Sequence, residues 1–139
     1  MGEAESLFGE EHVRRYRETG GKVGHIWREG STILLLTTTG RKSGERRTVP
    51  LIYVQDGDRY VIVASKGGAP QHPGWYQNIE KTPEVELQVK DEVFSARARL
   101  AKGEERERLW RLATTVWKYY DDYAKKTQRE IPVVVLERS

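Results

Sequence analysis

The chain has 139 residues with 24 basic and 21 acidic side chains, a net charge of +3, and an apolar share of 37%. A chain of this length buries one real hydrophobic core and leaves little for a second, so the expectation is one domain over residues 1–139. The absence of cysteine excludes disulfide staples, thiolate zinc sites and a thiol nucleophile.

Residues 10–20 read as a helix stopped by Gly20-Gly21, and with the connection to residue 26 they form an N-terminal element in front of a barrel over 27–139. Residues 31–39 (STILLLTTT) are β-branched and apolar and predict a strand. GRKSGERR (40–47) is a loop, and 48–55 is the next strand, with Pro50 at its start or on an edge. Asp56-Gly57 predicts a hairpin into a third strand over 59–65. A Gly/Pro loop follows over 65–75, then a short helix begun by Pro73. Strands are expected over 85–90 and 93–100, the second alternating with Phe94, Ala96, Ala98 and Leu100 on one face. Leu109, Leu112, Ala113, Val116, Tyr120, Tyr123 and Ala124 recur at steps of three and four, which predicts one long helix over 103–127. A last strand covers 131–137. Hairpins dominate this order, so the expectation is an α+β fold: a small antiparallel barrel with flanking helices.

Charge is evenly spread except in one place. Residues 1–70 carry 11 basic and 9 acidic groups and residues 71–139 carry 13 and 12, so the net charge is almost that of Arg41, Lys42, Arg46 and Arg47 against Glu45. This loop resembles a nucleotide phosphate loop but lacks glycine directly before Lys42-Ser43 and is followed by a strand, which argues against ATP hydrolysis. Capture of an anion remains: Gly40 and Gly44 free the backbone, Thr39 and Ser43 offer hydroxyls, and Arg41, Lys42 and Arg47 offer charge. In the second loop, Ser65-Lys66-Gly67-Gly68 lets a ligand approach the backbone, and Trp75 and Tyr76 are suited to packing on a flat ring. A third cluster, Trp110, Trp117, Tyr119, Tyr120 and Tyr123, falls on the long helix; Trp117, Tyr120 and Tyr123 share a stripe that suits either core or a pocket rim. His12, His25 and His72 lack ligand spacing and read as ordinary surface or turn residues, with no metal expected. Gly2 and Ser6 match a short myristoylation pattern that is read as chance.

LLLTTTGRKSGERRTVPL (34–51), VASKGGAPQHPGWYQNI (63–79) and YYDDYAKKTQREIPVVVLE (119–137) together resemble the deazaflavin-dependent nitroreductase family. The resemblance implies a split β-barrel and coenzyme F420, a 5-deazaflavin with a phosphate and an oligoglutamate tail. It also implies a cofactor site of Thr39, Arg41, Lys42, Ser43, Arg47, Pro50, Leu51, Ser65, Lys66, Gly67, Gly68, Trp75 and Asn78. Trp117, Tyr120 and Tyr123 fall at positions where nitroreductases of the family carry substrate-facing tyrosines, and the tryptophan departs from that pattern. The expected function is hydride transfer from the reduced cofactor to a quinone, activated enone or nitroaromatic, with Ser65, Tyr120 and Tyr123 as donors. An FMN enzyme of the same barrel class is the alternative, and a single-strand nucleic-acid binder ranks lower because the charge is too balanced. The expected setting is cytoplasmic, as a monomer or homodimer without a spanning helix. The N-terminal helix is open to packing on the barrel, capping the pocket or touching a membrane surface; Arg14, Arg15 and Arg17 beside Val13 and Tyr16 permit the last without requiring it.

Overall fold

The computed structural model describes residues 7–139, so Gly2 and Ser6 lie outside the described residues. Six strands close into an antiparallel barrel: β1 (Ile33–Thr39), β2 (Arg46–Asp56), β3 (Arg59–Val63), β4 (Glu84–Val89), β5 (Glu92–Leu100) and β6 (Val133–Arg138), in the order β1-β2-β3-β6-β5-β4 with β4 returning to β1. Helices α1 (Gly9–Thr19), α2 (Gly74–Lys81), α3 (Gly103–Val116) and α4 (Tyr120–Lys126) pack against it.

The unbroken apolar runs are explained by cover on both faces. Leu34 and Leu36 of β1 point into the barrel, while Ile33 and Leu35 lie under Val13 and Tyr16 of α1. Val134 and Leu136 of β6 point inward, while Val133 and Val135 pack beneath α3 with Leu109 and Ala113. A strand buried on both faces has no reason to alternate. By contrast β5 has water on its outer side, and it alternates: Ala96 and Ala98 are buried, Ser95 and Arg97 exposed. Leu100, expected to face inward, is exposed at the end of the strand.

β2 changes neighbours along its length. Residues 46–52 pair with β1, and residues 53–56 pair with β3. Pro50 sits opposite Leu35 in the middle of β2 rather than at its start. No strand pairs the other side of this first half among the described residues, so the missing proline N–H costs no ladder bond. The barrel is thereby split open beside Val49, Pro50 and Leu51, and this edge carries the cavity described below.

One expectation about the helices is corrected. The single helix over 103–127 is two: Trp117 closes α3 in an extended conformation (φ −141°, ψ 95°), and α4 begins at Tyr120. No glycine or proline marks the break. Trp117 instead leaves the helix to stack its indole on Trp27, at 6.0 Å between centroids. Helix α1 packs on the barrel, one of the placements its sequence allows. Val13 and Tyr16 are buried on the barrel, Arg14 pairs with Glu11 and Glu18, and Arg17 donates to the Thr48 hydroxyl at 2.9 Å. No described helix is long and apolar enough to cross a membrane.

Candidate active site

Two adjoining cavities lie along the open edge of β2. The first, of about 510 Å³, is lined by Pro50 and Leu51, by Ser65, Lys66 and Gly67, and by the aromatic rings of Trp27, Trp75, Trp117, Tyr120 and Tyr123. The second, of about 460 Å³, is lined by Arg41, Lys42, Ser43, Arg47 and Asn78. Val49 and Trp75 belong to both walls, so an aromatic chamber and a cationic one share a boundary.

The cationic chamber is built around a buried asparagine. Asn78, on α2, is 4% exposed. Its Oδ1 accepts from the Arg41 backbone N–H at 3.1 Å and from Arg41 Nη1 at 3.0 Å, and its Nδ2 donates to the Thr38 hydroxyl at 3.0 Å. Lys81 Nζ donates to the Arg41 carbonyl at 2.8 Å. Arg41 is thus held in place, and its loop turns at Gly40, where a Cβ would meet Ser43 Oγ at 2.7 Å. Lys42 and Arg47 remain exposed, and among the described residues the carboxylate paired with them is Glu45, 3.9 Å from Arg47. Asn78 therefore acts as the tie that shapes the loop, while Lys42 and Arg47 supply exposed positive charge, that of Arg47 only loosely paired with Glu45. Thr39 is not on either wall: its hydroxyl accepts from Arg46 Nη1 at 3.1 Å.

The aromatic chamber has a polar floor. Ser65 takes a right-handed conformation (φ −79°, ψ −39°), and Lys66, Gly67 and Gly68 all have positive φ (47°, 63° and 83°). A right-handed residue followed by a left-handed one, as at Ser65-Lys66, turns successive N–H groups to one side and forms an anion-binding concavity. The hydrogen bonds that close the turn, Gly68 N–H to the Ser65 carbonyl and Ala69 N–H to the Lys66 carbonyl, leave the N–H groups of Ser65, Lys66 and Gly67 out. The two glycines differ in task. A Cβ on Gly67 would meet nothing within 4 Å, whereas one on Gly68 would meet the Tyr123 carbonyl at 2.7 Å. Gly67 borders the cavity, and Gly68 is buried against α4.

The three aromatic residues expected on one helical stripe are brought to this chamber from either side of the helix break. Trp117 Nε1 donates to the Tyr123 hydroxyl at 3.3 Å, which leaves the tyrosine hydrogen free to point elsewhere. Tyr120, 4% exposed, packs edge-on against Tyr123, and burial pushes its hydroxyl well above the ordinary phenol range, so it stays protonated.

Three residues of the site carry no recognisable signal in the chain. His12, read as an ordinary surface or turn residue, is 1% exposed and lines the chamber from α1. Its Nε2–H donates to the Gly24 carbonyl at 2.8 Å, and burial holds its pKa below the usual imidazole value. Trp27 stacks on Trp117, donates its Nε1–H to the Leu7 carbonyl and lines the same chamber. Arg129, between α4 and β6, reaches the back of the Ser65 turn. The other two histidines are not free either: His25 Nε2 lies 2.8 Å from the Tyr53 hydroxyl, and His72 Nδ1 accepts from Arg129 at 3.1 Å.

Comparison with known proteins gives the family of this chain. A model of the F420H(2)-dependent quinone reductase family matches residues 8–138. An F420H(2)-dependent quinone reductase of Mycobacterium tuberculosis is 42% identical over 130 residues, covering 91% of this chain and 87% of the relative. Among solved structures, an F420-H2 dependent reductase, FDR-A, superposes with a TM-score of 0.71 at 48% identity, covering 76% of this chain and 93% of its own. A second, described as a domain-swapped dimer, superposes with a TM-score of 0.73 at 43% identity, covering 92% and 95%. With the split barrel, the cationic chamber and the family match all in agreement, the chain belongs to the F420H(2)-dependent quinone reductase family, oxidoreductases that use coenzyme F420.

Proposed function

We propose that the two chambers divide the cofactor between them and that the aromatic end of the first receives a quinone. The observation that carries this reading is the shared wall of Val49 and Trp75, which joins a cationic space to a flat aromatic one. The donor set fits coenzyme F420. Exposed Lys42 and Arg47 suit a phosphate and a multiply anionic tail, and Arg41 and Ser43 line the same space. Backbone N–H groups of Ser65, Lys66 and Gly67, with Pro50, Leu51 and Trp75, suit a planar ring that carries oxygen acceptors. Bound there, the reduced deazaflavin supplies a hydride.

The chain's own residues bind, orient and donate. Trp27 and Trp117 hold a flat acceptor by stacking and keep water from it. The hydroxyls of Ser65 and Tyr123, with that of Tyr120 behind them, donate hydrogen bonds to the acceptor oxygen as negative charge develops on it. Tyr120, kept protonated by its burial, is a donor across the working pH range.

Titration of the purified protein with coenzyme F420, read by quenching of tryptophan fluorescence, tests this. Saturable binding that weakens when Lys42 and Arg47 are both replaced by alanine, together with turnover of a naphthoquinone by the reduced cofactor, is expected. No saturable binding, or FMN released from the purified protein on denaturation, would overturn it.

A further inference from the structure

The back of the Ser65 turn is occupied by a cation that the sequence does not announce. Arg129 Nε donates to the Ala69 carbonyl at 2.8 Å, Nη1 to the Ala64 carbonyl at 3.2 Å and to His72 Nδ1 at 3.1 Å, and Nη2 to the Ser65 carbonyl at 2.7 Å. No carboxylate pairs with this guanidinium among the described residues. It is half-buried, and four of its five N–H donors are spent on one loop.

Two of those carbonyls belong to the peptide units that carry the N–H groups of Ser65 and Lys66. All peptide bonds among the described residues are trans. In a trans peptide the C=O and N–H point in opposite directions. A guanidinium that holds the Ala64 and Ser65 carbonyls on one side therefore fixes the Ser65 and Lys66 N–H groups on the other, the side of the cavity that these residues line. It also holds Lys66 at φ 47°, a left-handed conformation that costs energy in a residue other than glycine. A hydrogen bond to a peptide carbonyl further polarises that peptide and strengthens its N–H as a donor.

We infer that Arg129 is a positioning residue that aims the backbone donors of Ser65 and Lys66 at the cofactor ring, by clamping the opposite faces of their peptides. The inference rests on the assignment of the aromatic chamber to the deazaflavin. Lysine at this position keeps the charge but loses the planar fork, and one ammonium does not reach carbonyls at residues 64, 65 and 69 with the same geometry.

The test compares Arg129→Gln and Arg129→Lys with Arg106→Gln. Arg106 donates to the nearby Ile131 carbonyl and touches no part of the turn, so it controls for general loss of stability. In cofactor-free protein, hydrogen exchange over residues 64–72 is expected to quicken about tenfold or more in both Arg129 variants, with β1 unchanged, because charge-assisted hydrogen bonds are lost. With cofactor, the F420 dissociation constant is expected to rise about tenfold or more, one hydrogen bond's worth, while the quinone KM stays within twofold and Arg106→Gln matches the parent in both readings. Unchanged exchange over 64–72 overturns the clamp, whatever happens to affinity. Faster exchange with unaltered F420 affinity overturns its role in aiming the donors. A parent protein that does not bind F420 overturns the proposed function instead, and exchange alone then decides whether Arg129 holds the turn.

Discussion

Trp27 and Trp117 stack with their ring planes 23° apart, and together they join the connection after α1 to the break between α3 and α4. The pair lines the aromatic chamber together with the Ser65 turn, and Trp117 also donates to Tyr123. One residue therefore ties the chamber's aromatic lining to the hydroxyl of Tyr123.

Replacing Trp117 with alanine should remove both effects. Stacked aromatic pairs contribute about 1 kcal/mol beyond area burial, so a modest fall in Tm is expected. The larger effect should fall on the quinone, with kcat/KM down about tenfold or more and the F420 dissociation constant nearly unchanged. Steady-state kinetics beside fluorescence titration checks the split; an equal loss in both would remove Trp117 from the acceptor end.

Gly67 and Gly68 should respond oppositely to alanine. At Gly68 the methyl would meet the Tyr123 carbonyl at 2.7 Å on top of an unfavourable φ, and a loss of about 2–4 kcal/mol of stability is expected. At Gly67 no atom lies within 4 Å, so only the backbone cost of about 1 kcal/mol applies. Gly67→Ala should fold and yet bind F420 more weakly, since the new methyl stands at the cavity wall. Urea denaturation and cofactor titration of both variants distinguish the two tasks.

Lys42 and Asn78 line the same chamber but should fail differently. Lys42→Ala removes an exposed charge, so stability should hold within about 0.5 kcal/mol while F420 affinity falls and its salt dependence flattens. Asn78→Ala strips a buried tie from the Arg41 N–H and the Thr38 hydroxyl, and about 1–3 kcal/mol of stability should be lost with the affinity. Denaturation midpoints and titrations at two ionic strengths check both.

The buried imidazoles of His12 and His25 should make stability fall on mild acidification. Burial lowers the folded pKa of both below the ordinary value of 6.5. Above that value both folded and unfolded chains hold the rings neutral, and no pH dependence arises from them. Below it the unfolded chain takes up protons first, so stability declines as pH drops through 6.5 toward the folded pKa values. Denaturation midpoints between pH 7.5 and 5 should show this slope. His12→Gln should lower stability at pH 7 and make the slope shallower; an unaltered slope would remove His12 as its source.

Much of the site was legible in the chain because its chemistry is local. Four cations in seven residues beside Gly40 and Gly44, and Ser65-Lys66 followed by two glycines, state their chemistry without help from the fold. The strands were legible for the same reason, as short apolar runs bounded by turn residues. The family resemblance added Pro50, Leu51 and the tyrosine positions, all of which line the cavity.

The rest depended on contacts distant in sequence. The helix break at Trp117 has no glycine or proline to mark it; a stack on Trp27 overrides local helical periodicity. His12 reads as one polar residue on an amphipathic helix until α1 is laid on β1 and β2 and its ring faces the chamber. Arg129 looks like one more surface cation, because nothing local tells an arginine that its acceptors are carbonyls some sixty residues earlier. The sequence by itself determined the chemistry of the two loops and the barrel class, since composition and turn residues act over a few positions. Tertiary structure alone decided which side chains shape those loops and wall the cavity, since barrel closure sets which distant segments meet.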